Sequence, residues 1–364
     1  MTASDRRTFL GATMAAIATA RSARADRTRP QGFFAPAEEA PHARTWMCWP
    51  STAAIYGGPG AYYDDVQATI GRLAAAIAGF EPVAMAVPDE HRAAAAAACG
   101  PKVELVSIPT DDMWARDNGA VFLIDGKGNR AALDLHFNGW GGKQRHDKDK
   151  AIAAAMAAHA GCPLYDSSLT GEGGGIEYDG EGTLLLTETC WVNDNRNPGK
   201  SKAEIEAALK ADLGVEKVIW LPGIAGQEIT DDHIDGVVRV VRPGVLVVSG
   251  VEGDTSQWGA LMKERRAILN ATTDARGRSF TLAEIPWSDT FRSTREDFFS
   301  GYANFYVGNG AVYTPQFGDP ARDRHAAETL AALYPDRKVV VLDVDRIYEN
   351  GGGIHCVTQQ EPVG

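Results

Sequence analysis

Apolar and polar positions along the chain fall into a recurring order: a polar or acidic lead, an apolar run, a glycine-rich turn, a second apolar run and an amphipathic helical stretch. The clearest copies span 118–137, turning at Asp125-Gly126-Lys127-Gly128, and 176–188, turning at Asp179-Gly180-Glu181-Gly182. Two more span 236–249 around Arg242-Pro243-Gly244 and 302–315 around Gly308-Asn309-Gly310. Asp-Gly and Asn-Gly between alternating apolar residues predict hairpins, because such turns need positive φ. Helical spacing of apolar residues lies between them, over 64–78, 148–160, 201–213, 258–271 and 321–334. The copies return about every 60 residues, which predicts a repeat architecture in which each unit buries its apolar face against a neighbour. An ordinary α/β sheet with hairpins of chance similarity would give the same pattern, and closure of a ring is not written in a sequence.

Both ends of the pattern need separate treatment. Residues 26–60, rich in Pro, Gly and Ala around Trp46-Met47-Cys48-Trp49-Pro50, read as a lead-in plus a first strand. Residues 1–25 read as an export signal. Arg6-Arg7-Thr8-Phe9-Leu10 forms a twin-arginine core, although Asp5 precedes the pair where Ser is more usual. The Ala-rich run 11–20 is too short to span a bilayer, and Ala23-Arg24-Ala25 offers a small-x-small cleavage site. The expected mature chain is periplasmic or secreted.

Composition narrows the partners. With 364 residues, 44% of them hydrophobic, the chain can build a large core, and a net charge of −12 disfavours nucleic acid and anionic membrane surfaces. A cationic small molecule or peptide would be attracted. Five cysteines, at 48, 99, 162, 190 and 356, make neither a disulfide framework nor a CxxC metal site.

Four polar segments at predicted strand edges carry the candidate chemistry: Asp112 to Gly119, Glu172-Gly173-Gly174-Gly175, Asp231 to Gly236, and Gly351 to Cys356. Cys356 follows a glycine run that lets substrate and backbone amides approach, as a nucleophilic thiol requires. The other four cysteines sit in apolar contexts that predict core packing. His233-Ile234-Asp235 alternates like a strand, which would point both polar side chains to one face. Taken alone it reads more readily as a surface strand edge with solvated charges. A metal site of His233, Asp235 and His355 is a further reading, without a HExxH spacing or a cysteine pair to support it.

Together these segments resemble the agmatine deiminase branch of the guanidino-group-modifying, or pentein, superfamily, which is related to bacterial peptidylarginine deiminases. The resemblance runs from Thr45-Trp46-Met47 to Gln359-Gln360 and includes Phe137 to Gly142, Asn193 to Gly199, Asn304-Phe305-Tyr306 and Pro315 to Asp319. It implies an α/β fold, a five-bladed pseudo-symmetric propeller of ββαβ units, as one catalytic domain over 26–364. It also implies roles: Cys356 as nucleophile, His233 as general acid and base, Glu172 beside that histidine, and Asp117 and Asp235 as the pair gripping a guanidinium. Two carboxylates suit a planar cation rich in N–H donors. Trp114 is expected to wall the aliphatic stem of the substrate. No metal or organic cofactor is implied, the expected partner is a small cationic guanidino compound, and relatives are often homodimers.

One position departs from the family pattern. Ile229, in Ile229-Thr230-Asp231-Asp232-His233, stands where an acidic residue is usual, so Glu228, Asp231 or Asp232 would have to meet the distal amine of agmatine. Two alternatives therefore stay open: an exported enzyme acting on peptidyl-arginine, and a binding protein that captures guanidino compounds without turnover. A Cys-His protease is weakened because a guanidinium-gripping carboxylate pair has no use around an amide carbonyl.

Overall fold

The computed structural model describes residues 29–250, 254–295 and 298–364; the expected export signal over 1–25 lies outside them. The strands form five separate sheets. The first holds His42–Cys48 (β1), Val83–Val87 (β2) and Val103–Ser107 (β3), all parallel. The second holds Val121–Ile124 (β4), Arg130–Asp134 (β5) and Leu164–Asp166 (β6), and the third Glu177–Tyr178 (β7), Thr183–Thr187 (β8) and Lys217–Leu221 (β9). Val238–Arg242 (β10), Val245–Ser249 (β11) and Thr281–Ile285 (β12) make the fourth, and Tyr306–Gly308 (β13), Ala311–Pro315 (β14) and Lys338–Leu342 (β15) the fifth. In each of the last four sheets an antiparallel hairpin is followed by a helix and a parallel strand. This is the ββαβ unit predicted from the hairpin turns.

The first sheet obeys the same rule by borrowing from the other end of the chain. Gln359–Pro362 (β16) pairs antiparallel with β1, setting Thr45 against Gln360 and Trp46 against Gln359. That sheet also carries an extra helix and strand, because Arg92–Cys99 leads into β3. The five-bladed α/β propeller is thus sewn shut by its two ends.

Local sequence explains the crossover helices. Ala61–Ile77 buries Val66, Ile70, Leu73, Ala74 and Ile77 along one face. Its Gly71 lies so close to Ala98 that an added Cβ would stand 2.6 Å from the alanine Cβ. Lys202–Leu213 starts at a capping box of Ser201 and Glu204 and ends at Gly214, in the left-handed region at φ 70°. Pro320–Leu333 starts from an Asp319 cap with Pro at its first turn.

Polar side chains meet where the blades converge. Arg239 of β10, fully buried, donates from Nε to Glu177 of β7 at 2.6 Å and from Nη2 to Glu38 at 2.7 Å, and also reaches the Phe305 carbonyl. Arg116 donates to Gln360 of β16 at 2.7 Å. Glu38 lies on an N-terminal strap whose Phe34 bridges Ile124 and whose Ala35 N–H donates to the Leu213 carbonyl at 2.9 Å.

The closing strand is anchored by charge. Glu361, fully buried, accepts from Trp46 Nε1 at 2.8 Å, binds the Arg130 guanidinium and pairs with Arg44 Nε at 3.3 Å. Arg44 and Arg130 are partly exposed and Arg44 also pairs with Glu104, so losing Glu361 chiefly strands the buried Trp46 Nε1, at a cost of about 1–3 kcal/mol. Glu361→Ala is therefore expected to lower the urea midpoint by that equivalent. An unchanged midpoint would show that the anchor is dispensable.

Candidate active site

Each blade delivers one short segment to the same end of the propeller, immediately before its leading strand. The turn Ala115–Asn118 precedes β4, Glu172 and its three glycines precede β7, His233 to Gly236 precede β10, Asn304 precedes β13, and Cys356 precedes β16. Side chains placed this way come from rigid strand ends. The segments are tied to one another as well: Arg116 N–H donates to the Cys356 carbonyl at 3.1 Å.

Glycine lets these segments close to contact. A Cβ on Gly174 would stand 2.6 Å from His233 Nδ1, 2.7 Å from Asp117 Oδ1 and 3.1 Å from Asp235 Oδ2, so the three groups face one point. A Cβ on Gly352 would meet the Trp114 ring at 2.5 Å and Cys356 Cβ at 3.3 Å, which places the indole beside the thiol. Cys356, His233, Asp117 and Asp235 are all buried.

Hydrogen bonds fix each group. Asp117 accepts from Gly174 N–H at 3.0 Å and from Trp140 Nε1 at 2.9 Å. Asp235 Oδ2 accepts from His355 Nδ1 at 2.7 Å and lies 3.5 Å from Cys356 Sγ. Asn304 Nδ2 donates toward that sulfur at 3.2 Å, while its Oδ1 accepts from His355 N–H at 2.9 Å and Cys356 N–H at 3.3 Å. His233 Nε2 contacts Glu172 Oε2 at 3.3 Å, and Arg196 Nε reaches both oxygens of Glu172 at 2.9 Å. His233 Nδ1 is buried with no hydrogen-bond partner among the described residues. A buried ring nitrogen left open toward two carboxylates and a thiol is available to a ligand.

Charge is divided unevenly across this pocket. Burial pushes the Cys356 thiol well above its ordinary range, and Asp235 and Asp117 reinforce it, since a thiolate beside two carboxylates is repelled. Burial raises Asp117 to about 6. For Asp235 burial acts the same way, but the His355 hydrogen bond and charge outweigh it and hold the carboxyl down at about 2. Burial opposes a charged His233, yet Asp117, Cys190 and Glu172 overcome it and raise that imidazole well above its usual value. Glu172 is kept below the usual range by Arg196 and His233 despite its burial.

The structure brings Cys356, His233, Glu172, Asp117, Asp235 and Trp114 to one pocket. It corrects the local conformation of the histidine segment: Ile234–Gly236 is a 3-10 turn and not a strand. His233 and Asp235 converge because Asp231 and Asp232 adopt left-handed backbone at φ 61° and 77° just before the turn and because the Thr230 hydroxyl accepts from His233 N–H at 3.0 Å. Asp231 accepts from Lys143 at 2.7 Å, Arg196 at 2.8 Å and Asn195 at 3.0 Å. Asp232 binds Arg265, and Glu228 binds Thr230 and the Asp232 N–H. All three acids are engaged by the protein itself. Ile229 packs against the apolar cluster that contains Trp114 and Cys356.

Sequence reasoning missed Asn304, Arg196 and the pocket side of Cys190, whose sulfur lies 3.8 Å from Glu172 Oε2. Asn304 had a signal in the repeat, since it occupies the fourth copy of the pre-strand position. Three groups of described residues bring metal-type ligand atoms within 4.8 Å: Glu172, Cys190 and His233; Glu38, Glu177 and His355; and Asp134, His136 and Asp166. The sequence-read trio of His233, Asp235 and His355 is none of these. The first two groups are already neutralised by the guanidinium groups of Arg196 and Arg239.

With this geometry in hand, three comparisons are informative. Residues 34–362 match the family described as Porphyromonas-type peptidyl-arginine deiminase. A Streptomyces coelicolor protein provisionally named agmatine deiminase is 40% identical over 343 residues, covering 91% of this chain and 99% of that protein, and the agmatine deiminase of Stutzerimonas stutzeri is 34% identical over 362 residues, covering 92% and 96%. The solved agmatine deiminase of Enterococcus faecalis superposes with a TM-score of 0.85 at 29% identity, covering 91% of this chain and 96% of that one.

The electrostatics predict how the thiol reacts in the empty site. Cys356 should alkylate with iodoacetamide only at strongly alkaline pH, and Asp117→Asn should bring the midpoint down by about one pH unit by removing a repelling charge. An unmoved midpoint in the folded variant would show that Asp117 does not act on the sulfur.

Proposed function

The chain belongs to the Porphyromonas-type peptidyl-arginine deiminase family, and we propose that it is a hydrolase converting agmatine to N-carbamoylputrescine and ammonia. The observation that carries this reading is the convergence of Asp117, Asp235 and the open Nδ1 of His233 on one point beside the Cys356 sulfur. Similarity to proteins named agmatine deiminase supports the substrate.

The geometry gives a consistent sequence of steps. A guanidinium held between Asp117 and Asp235 presents its central carbon to Cys356 and its N–H edges to the carboxylates. Its positive charge neutralises the repulsion that kept the thiol protonated, so Cys356 gives up its proton to solvent and the thiolate forms when substrate is present. The sulfur adds to the carbon, His233 protonates the departing nitrogen, the C–N bond breaks, and ammonia leaves a thiouronium on Cys356. Water then gives a proton to His233, adds to the same carbon and expels the sulfur, releasing the ureido product. Glu172 holds His233 in orientation and favours its charged form, and Trp114 flanks the substrate stem.

A second substrate reading has its own support. Glu228, Asp231 and Asp232 are all bound by protein groups, and Ile229 offers an apolar surface, so a distal amine finds no carboxylate among these four positions. A peptide backbone in place of that amine fits such a mouth. The purified chain from Asp26 onward, given agmatine, free arginine and an arginine-containing peptide, discriminates the two through ammonia and ureido product, with Cys356→Ala as control. Turnover of agmatine alone, abolished in the variant, is the expected result; preference for the peptide would transfer the assignment. If agmatine binds and nothing reacts, the protein is a guanidino-compound binder.

Export is part of the same proposal, supported by Arg6-Arg7, the apolar run 11–20 and Ala23-Arg24-Ala25. Fractionation with and without Arg6→Lys/Arg7→Lys would test it, and activity confined to the cytoplasm with both arginines present would refute it.

The pH dependence follows from the two titrating groups. Asp117, raised to about 6, must be ionised to grip the cation, so kcat/KM should fall as pH drops through about 6. His233, raised well above its usual value, must carry its proton to discharge ammonia, so kcat/KM should also fall on the alkaline side. A profile flat across neutral and mildly acidic pH would contradict these assignments.

A further inference from the structure

His355 is the neighbour of the nucleophile, yet its ring is held between two carboxylates. Its Nδ1 lies 2.7 Å from Asp235 Oδ2, and its Nε2 lies 2.8 Å from Glu38 Oε2. The backbone of His355 is pinned by Asn304, and the ring is buried. An imidazole facing a carboxylate oxygen at each nitrogen satisfies both only when both nitrogens carry hydrogen. Glu38 in turn accepts from Arg239 at 2.7 Å and from Val307 N–H at 3.1 Å, with Arg116 at 3.6 Å, so its position is held independently of His355.

From this geometry we infer that Glu38, a residue of the N-terminal strap, is a positioning residue for the reaction: through His355 it orients Asp235 and keeps it ionised against Cys356 and the substrate cation. The inference rests on the deiminase reading above. Its physical logic is that of a charged partner fixing a ring whose other nitrogen fixes a functional carboxylate. Around the ring stand Glu38, Glu177, Asp235, Arg239 and Arg116; around Asp235 stand His355, His233, Asp117 and the Cys356 thiol. Glu38 is the carboxylate that touches both His355 and Arg239, and so it joins the axis to the site.

The test is Glu38→Gln, which keeps the shape and removes the charge. With the ring no longer held between two carboxylates, the buried Asp235 should take up a proton at higher pH. The expected result is a loss of about 10–100-fold in kcat/KM, an Asp235 carboxyl whose titration, followed by ¹³C NMR, is displaced to higher pH, and recovery of both in Glu38→Asp. A folded Glu38→Gln enzyme whose Asp235 titration stays in place would overturn the inference, because a purely structural role lowers the melting temperature without moving that carboxyl. Should the Gln variant not fold, NMR of the wild-type protein labelled with ¹⁵N in its histidine rings decides: His355 should show hydrogen bonds from Nδ1 to Asp235 and from Nε2 to Glu38, and absence of the Nε2 bond would refute the relay. That readout is independent of turnover. A wild-type protein inactive on every guanidino compound would end the deiminase reading while leaving the relay measurable.

Discussion

A buried chain of alternating charges along the propeller axis governs the rest of the structure. Glu177, Arg239, Glu38, His355 and Asp235 follow one another through contacts of 2.6 to 2.8 Å, from the third blade to the reactive centre. Desolvating such groups costs several kcal/mol per ion, and only close geometry with every lone pair used offsets it. The chain is therefore better understood as a device for register than as a source of net stability. The members come from three blades and the N-terminal strap, with Asp235 and Arg239 sharing one blade, so a blade displaced from its neighbours would strand a charge in a dry interior.

The same constraint explains why the site is assembled from pre-strand segments. Where five sheets converge there is little room for side chains, and glycine supplies it: Gly173 packs under the Arg116 carbonyl, Gly174 under His233 and Asp117, and Gly353 under Asn304 and Tyr348. Removing Cβ atoms at these positions lets functional groups from separate repeats come within hydrogen-bonding distance while each stays on a rigid strand end. The strain needed to aim His233 is localised in Asp231 and Asp232, whose left-handed backbone costs on the order of 1 kcal/mol each. Lys143, Arg196 and Arg265 hold those two carboxylates in place.

Much of this was legible in the sequence, for reasons that also mark where legibility ended. The four hairpins were readable because their Gly turns need positive φ, and the crossover helices because their apolar spacing is regular. The fifth hairpin was not, since β16 and β1 stand at opposite ends of the chain and local signals carry no information about such pairing. His233 and Asp235 were read as a strand because two residues of alternation also fit a 3-10 turn, and only the Thr230 hydroxyl and the left-handed pair before it decide between them. Glu38 and Arg196 escaped notice because an isolated Glu or Arg acquires a role only through its partner, and the partner of Glu38 lies 317 residues away. Cys190 looked like core and does pack as core, but the wall it forms is also a wall of the site.

The arrangement also accounts for how a free nucleophilic thiol can be carried safely. All five cysteines are free, and Cys356 faces two carboxylates, Asp235 and Asp117, with Asp235 3.5 Å from its sulfur. In the empty pocket the two acids suppress the thiolate, which is the form that oxidants and electrophiles attack. In the proposed reaction a guanidinium reverses the sign of the local field: the carboxylates that repelled the thiolate become counter-ions of the substrate, and the cation itself then favours the negative sulfur. On the proposed reading, one pair of acids serves recognition, silencing and activation. It can do so only if Asp235 stays ionised in a buried site next to Asp117, and the structure meets that demand with His355 and, behind it, the charges of the axis.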